Sequence, residues 1–81
     1  QRLRMVRFCA SMPAQGRTTL RIFDLQGRLI ATPVDRDLGA GMHTFRWDGT
    51  DAQGRRAATG FYLYRLRVGN QEAAGSMIIT R

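Results

Sequence analysis

Two aspartates, Asp48 and Asp51, stand three residues apart in the glycine-rich stretch WDGTDAQGRR. In other spacings, acids of this kind bind a cation and glycines of this kind cradle a phosphate. A calcium loop of the EF-hand kind brings carboxylates at every second position onto one ion and completes the shell with a bidentate Glu. Here the spacing is wrong and no Glu follows within reach. A phosphate cradle needs a helix N-terminus behind its glycines, and no window of this sequence sustains a helical period. The same residues suit a turn well. Asp48 and Asp51 can accept backbone N–H bonds while Gly49 and Gly54 adopt positive φ. The loop is read as structural, holding no metal and no cofactor.

The next stretch, FYLYRLR, mixes aromatic rings with arginine as single-stranded nucleic-acid platforms do. In a strand, however, Tyr62, Tyr64, Leu66 and Val68 share one face, and Phe61, Leu63, Arg65 and Arg67 share the other. Rings that alternate with aliphatic side chains belong to a core, their hydroxyls reaching its rim. Tyrosines and arginines then form no common surface. His43 is the only histidine, and general acid–base work needs a partner and a pocket. No serine or cysteine sits in a nucleophile motif, so the chain is not read as an enzyme. Cys9 is the only cysteine, which excludes an internal disulfide and a Cys-based metal site.

The elements that position these residues are strands. VRFCASM alternates Val6, Phe8, Ala10 and Met12 against Arg7, Cys9 and Ser11, and Pro13 stops it. TTLRIFD sets Thr18, Leu20 and Ile22 against Thr19, Arg21 and Phe23; DLQG then turns the chain, and RLIATPV makes a third strand. Pro33 lacks a ladder donor, which predicts an edge or a bulge. DRDLGAG is expected to be a loop with Leu38 tucked inward. MHTFRW aligns His43, Phe45 and Trp47, and RRAAT is a short strand or a loop. GFYLYRLRV is the longest strand, GNQ a hairpin turn, and AAGSMIIT the closing strand. Turn signals at about 8–12-residue intervals predict an all-β antiparallel sandwich or barrel.

Composition agrees with that scale. An 81-residue chain has room for one domain, residues 1–81, and buries roughly 60–65% of its unfolded surface, too little to spare for a deep cleft. The longest apolar runs are a few residues, so no helical membrane span is expected, and QRLRMVRF lacks the apolar core of a signal peptide. The start at Gln1 suggests a module of a longer protein. The formal charge is +7 and all 13 basic residues are arginine. Such an excess can attract nucleic acid or acidic surfaces, but the arginines are scattered without a dense run, so nucleic acid is the least favoured partner.

Taken in order, Ile22-Phe23-Asp24 with Gly27-Arg28, Ala40-Gly41 with His43, and Trp47-Asp48-Gly49 form a recognisable series. It continues through Asp51 with Gly54, Gly60 with Tyr62, Tyr64-Arg65-Leu66, and the closing Met77-Ile78-Ile79 with Arg81. This series resembles the Ig-like C-terminal domain shared by flagellar hook-capping proteins and type IX (Por-type) secretion sorting domains. The resemblance implies a small Ig-like β-sandwich of about seven strands, without catalytic residues, exported to the exterior or surface of a bacterium. Among sorting domains it implies that the final strand, here Ser76, Met77, Ile78, Ile79, Thr80 and Arg81, is read by secretion machinery.

Two functions follow as expectations. The first is a non-catalytic interaction module that sorts or anchors a parent protein at the cell surface. The alternative is a structural subunit of hook-cap type that joins neighbouring subunits, self-assembling through exposed sheet edges or an apolar patch at Phe23, Phe61 or Leu63.

Overall fold

The computed structural model describes residues 6–12 and 14–79, and everything below concerns those residues. Six strands are present: β1 (Val6–Met12), β2 (Gly16–Phe23), β3 (Leu29–Leu38), β4 (Gly41–Trp47), β5 (Gly60–Val68) and β6 (Gln71–Ile79). All pairings are antiparallel. β1 pairs with β4 in a two-stranded sheet, and a four-stranded sheet runs in the order β3-β2-β5-β6. The two sheets form an all-β sandwich, as expected.

The alternation read from the sequence sets the inner face. Thr18, Leu20 and Ile22 of β2 are fully buried. They meet Ala31 and Val34 of β3, Tyr62 and Leu66 of β5, Ile79 of β6, and Phe45 and Trp47 of β4 in one core. Each large apolar side chain so buried contributes about 1.5–3 kcal/mol relative to exposure. Thr18 is tolerated there because its hydroxyl donates to the Gly16 carbonyl at 3.3 Å. Val68 and Leu38 pack, half-buried, at the margin of this core.

Two expectations are corrected. The sandwich has six strands among the described residues rather than seven, because residues 55–59 form a loop with a single bridge, Thr50 to Arg56, and no ladder. The segment DRDLGAG is not wholly a loop. β3 continues through Asp35, Arg36 and Asp37 to Leu38, leaving Gly39 and Ala40 to turn the chain into β4. These charged residues are tolerated in a strand because β3 is a sheet edge and they stay exposed. The expectation for Pro33 holds on both counts. Its strand is an edge, and the β2–β3 register slips between the pairs Leu20–Val34 and Ile22–Ala31, so Thr32 and Pro33 form a bulge. The reading of Pro13 as a strand stop, the faces of Val6, Phe8 and Ala10, and the roles of Thr80 and Arg81 lie outside the described residues.

Candidate functional site

The loop from Asp48 to Thr59 is built by hydrogen bonds its own sequence supplies. Asp48 Oδ1 accepts from the Thr50 backbone N–H at 3.0 Å and from the Thr50 hydroxyl at 2.6 Å. The Thr50 hydroxyl bond, followed by that of its N–H, holds the Asp48 carboxyl below the usual carboxylate range. Asp51 Oδ1 accepts from the N–H groups of Gln53 and Arg55, both at 2.9 Å. Both carboxylates are thus engaged in folding the turn. Among the described residues no three His, Cys, Asp or Glu side chains come together in a group that could hold a metal ion.

An unanticipated repetition explains the Asp51 turn. Asp24-Leu25-Gln26-Gly27-Arg28 and Asp51-Ala52-Gln53-Gly54-Arg55 share the pattern Asp-x-Gln-Gly-Arg, and they fold alike. In both, the aspartate Oδ1 accepts from the N–H groups two and four residues on. The aspartate N–H donates to the arginine carbonyl, and the glycine N–H to the aspartate carbonyl. Gly27 and Gly54 take φ of 86° and 82°, which a side chain would resist. The arginine returns to its aspartate, at 2.8 Å in the first turn and 3.7 Å in the second. Asp24 is held below the usual range chiefly by the Arg28 N–H. The pentapeptide repeat was legible in the chain, and its signal lies in the shared Gln-Gly-Arg rather than in the acids.

The aromatic residues anchor this loop to the core. Trp47 is buried and donates through Nε1 to the Thr50 carbonyl at 2.9 Å. Its indole meets Tyr62 edge-on, with ring centroids 5.8 Å apart. The Tyr62 hydroxyl donates to the Ala58 carbonyl four residues upstream at 2.6 Å, in the manner of the tyrosine corner of Ig-like sandwiches. Ala57 N–H donates to the Gly49 carbonyl, and Ala52 N–H to the Ile30 carbonyl, so the loop is also tied to β3. Trp47, Asp48, Gly49, Asp51, Gly54 and Tyr62 therefore converge on one loop, with Gly60 where it enters β5. Tyr64 stands apart, half-buried and laid over Gly75 of β6, its cross-strand partner. That cover was missed, although a large ring beside a bare glycine on paired strands is a recognised arrangement.

The remaining candidates are placed as follows. His43 donates from Nε2 to the Gly39 carbonyl at 2.7 Å, closing the β3–β4 turn. Cys9 is exposed beside Thr44, at 3.5 Å. Arg65 and Arg67 lie on the outer sheet face, opposite the tyrosines. Arg65 sits 5.6 Å above the Phe23 ring and 3.6 Å from Glu72. On that face Phe61, Leu63 and Ile78 remain exposed. Ser76, Met77, Ile78 and Ile79 belong to β6, which forms the other edge of the large sheet. No helix among the described residues is long and apolar enough to cross a membrane.

What this geometry defines is a class: an Ig-like sandwich whose paired aspartates fold turns and whose Trp47 and Tyr62 pack in the core, with Phe61, Leu63, Arg65 and Arg67 on an exposed outer face. The chain belongs to the FlgD Ig-like domain family, which matches residues 9–74. Its fold is similar to that of FlgD from Xanthomonas campestris, a structure described for the hook capping essential for flagellar assembly. That similarity has a TM-score of 0.74 at 25% identity and covers 94% of this chain and 56% of that one. FlgD from P. aeruginosa shares the fold at a TM-score of 0.69 and 16% identity, over 94% of this chain and 61% of that one. The chain thus spans less than two thirds of either FlgD. No curated protein matches it. The hook-capping half of the expected resemblance is shown, the type IX sorting half is not, and no catalytic family is indicated.

Proposed function

We propose that this chain is a non-catalytic structural domain of hook-cap type, working as a module of a longer bacterial protein in a flagellar assembly outside the cell. Its partners in this reading are protein subunits. The observation that carries the proposal is the family match across residues 9–74, joined to the fold shared with a hook-capping FlgD. The alternative function drawn from the sequence thereby moves ahead of the first. Deleting the domain from its parent gene is the direct test. Loss of hook growth and motility, seen by electron microscopy and swimming assays with the truncated parent still exported, is the expected result. Normal hooks would overturn it.

Export sorting is a second reading, with one observation in its favour: residues 76–79 lie on an open sheet edge, where a receptor strand can reach them. Deleting residues 77–81 should then trap the parent inside the cell. Normal secretion of that truncation would reject this role.

A further inference from the structure

Both edges of the large sheet lack a further strand among the described residues, but only β6 is open in form. β6 pairs with β5 without interruption from Gly60–Ile79 to Val68–Gln71. It has no proline and no bulge, and its single charged residue is Glu72. The middle of the strand, Ala73, Ala74, Gly75 and Ser76, is small enough to let another backbone approach.

The direction of its hydrogen-bonding groups follows from its neighbours. Gly69 N–H donates to the Arg17 carbonyl, continuing the β2–β5 ladder. Odd-numbered β5 residues therefore turn their polar groups toward β2, and even-numbered ones toward β6. Tyr62, Tyr64, Leu66 and Val68 pair with Met77, Gly75, Ala73 and Gln71. That leaves the N–H and C=O groups of Glu72, Ala74, Ser76 and Ile78 directed at the open edge.

We propose that this edge receives the β6 strand of a second copy of the chain, antiparallel and centred on Gly75, which joins two four-stranded sheets into one. In that register Ala74 faces Ser76 of the second copy and Glu72 faces Ile78. Every outward-turned residue meets another outward-turned residue, so the donors and acceptors match by symmetry. The charges also suit a second copy despite a net charge of +7. The two Glu72 carboxylates stand roughly 20 Å apart, six residues at ~3.3 Å each, well beyond the ~8 Å screening length at physiological salt. Glu72 already has Arg65 of its own chain beside it. Without a run of one charge sign, the strand has little to select a foreign partner of opposite charge.

The inference deepens the assembly role proposed above, but it is read in solution rather than in cells, so either can fail alone. Light scattering of the full chain over a concentration series at physiological salt should show a monomer–dimer equilibrium. Ala74→Pro, at an outward N–H, should abolish the dimer while circular dichroism stays unchanged. Ser76→Lys, which keeps every backbone bond, should weaken it at least tenfold. For the register, chains carrying Cys9→Ser with Ala74→Cys are mixed with chains carrying Cys9→Ser with Ser76→Cys; oxidation should give the mixed disulfide dimer. A monomer at every concentration overturns the proposal, as does a dimer that survives both edge variants or fails to form the mixed disulfide.

Discussion

β3 and β6 are the two edges of one sheet, and they are finished in opposite ways. β3 carries a bulge at Thr32 and Pro33, a second slip between the Ile22–Ala31 and Phe23–Leu29 pairs, and the charged run Asp35, Arg36 and Asp37. It is pinned from outside as well: Arg17 reaches Asp35 at 2.7 Å, and the Asp48–Thr59 loop bonds Ile30. β6 has a straight register, small side chains and one acid. Proteins blunt sheet edges that must stay solitary. The difference therefore separates an edge built to refuse strands from one left able to accept them.

The largest effect should come from breaking β6 at an inward position. Ala73→Pro removes a donor to β5 and leaves the facing carbonyl without its partner, which should cost about 1–3 kcal/mol. The misfit of the proline ring in a paired strand adds to that cost, and the sum is read as a collapse of the urea midpoint. Ala74→Pro should cost far less, because its N–H faces the open edge. Equal losses would contradict the alternation on which the open edge rests. Gly75→Ala comes next. A Cβ there would stand 2.6 Å from the Tyr64 hydroxyl and 2.7 Å from its ring, so a loss of about 1–3 kcal/mol is expected from forced repacking. Pairing it with Tyr64→Leu should recover part of that loss, giving a non-additive double mutant.

Tyr62→Phe tests the anchor that holds the loop against the β3 side. It removes the bond to the Ala58 carbonyl and should cost about 1 kcal/mol, measured by urea denaturation. Acid should also act through the turns that tie down β3. Asp24 and Asp48 have folded pKa values below their ordinary ones, so their contribution is full above the ordinary carboxylate range and is lost as pH falls through the folded values. Urea midpoints should drop on that acid limb, and Asp48→Asn should lower the neutral-pH midpoint while flattening the acid slope. The smallest effect belongs to Pro33→Val, expected within about 0.5 kcal/mol of the parent. Removing that guard should nevertheless bring β3 closer to β6 in its tendency to self-associate, visible by light scattering.

Much of this was legible before any coordinates. Leu20 and Ile22, Phe45 and Trp47, and Tyr62 and Leu66 alternate so regularly that their burial could be read directly, because one face of a strand must enter the core. Pro33 announced an edge through its missing donor. The extension of β3 through Asp35–Asp37 was hidden because charged residues look like a loop unless the strand is known to be an edge. Asp48 and Asp51 are residue types that accept backbone N–H bonds in turns, and both do so here. The kinship of the Asp51 turn with the DLQG turn at Asp24 lies in the shared pentapeptide, which the acids alone do not signal.

The sequence by itself determined the all-β class, the inward residues and most of the turns, since these depend on period-two alternation and on local turn chemistry. Only the tertiary structure decided which strands became edges, that β6 and not β3 was left open, and that Tyr64 covers Gly75. Strand order depends on pairing between residues far apart in the chain, and a local pattern holds no record of which neighbour a strand will find.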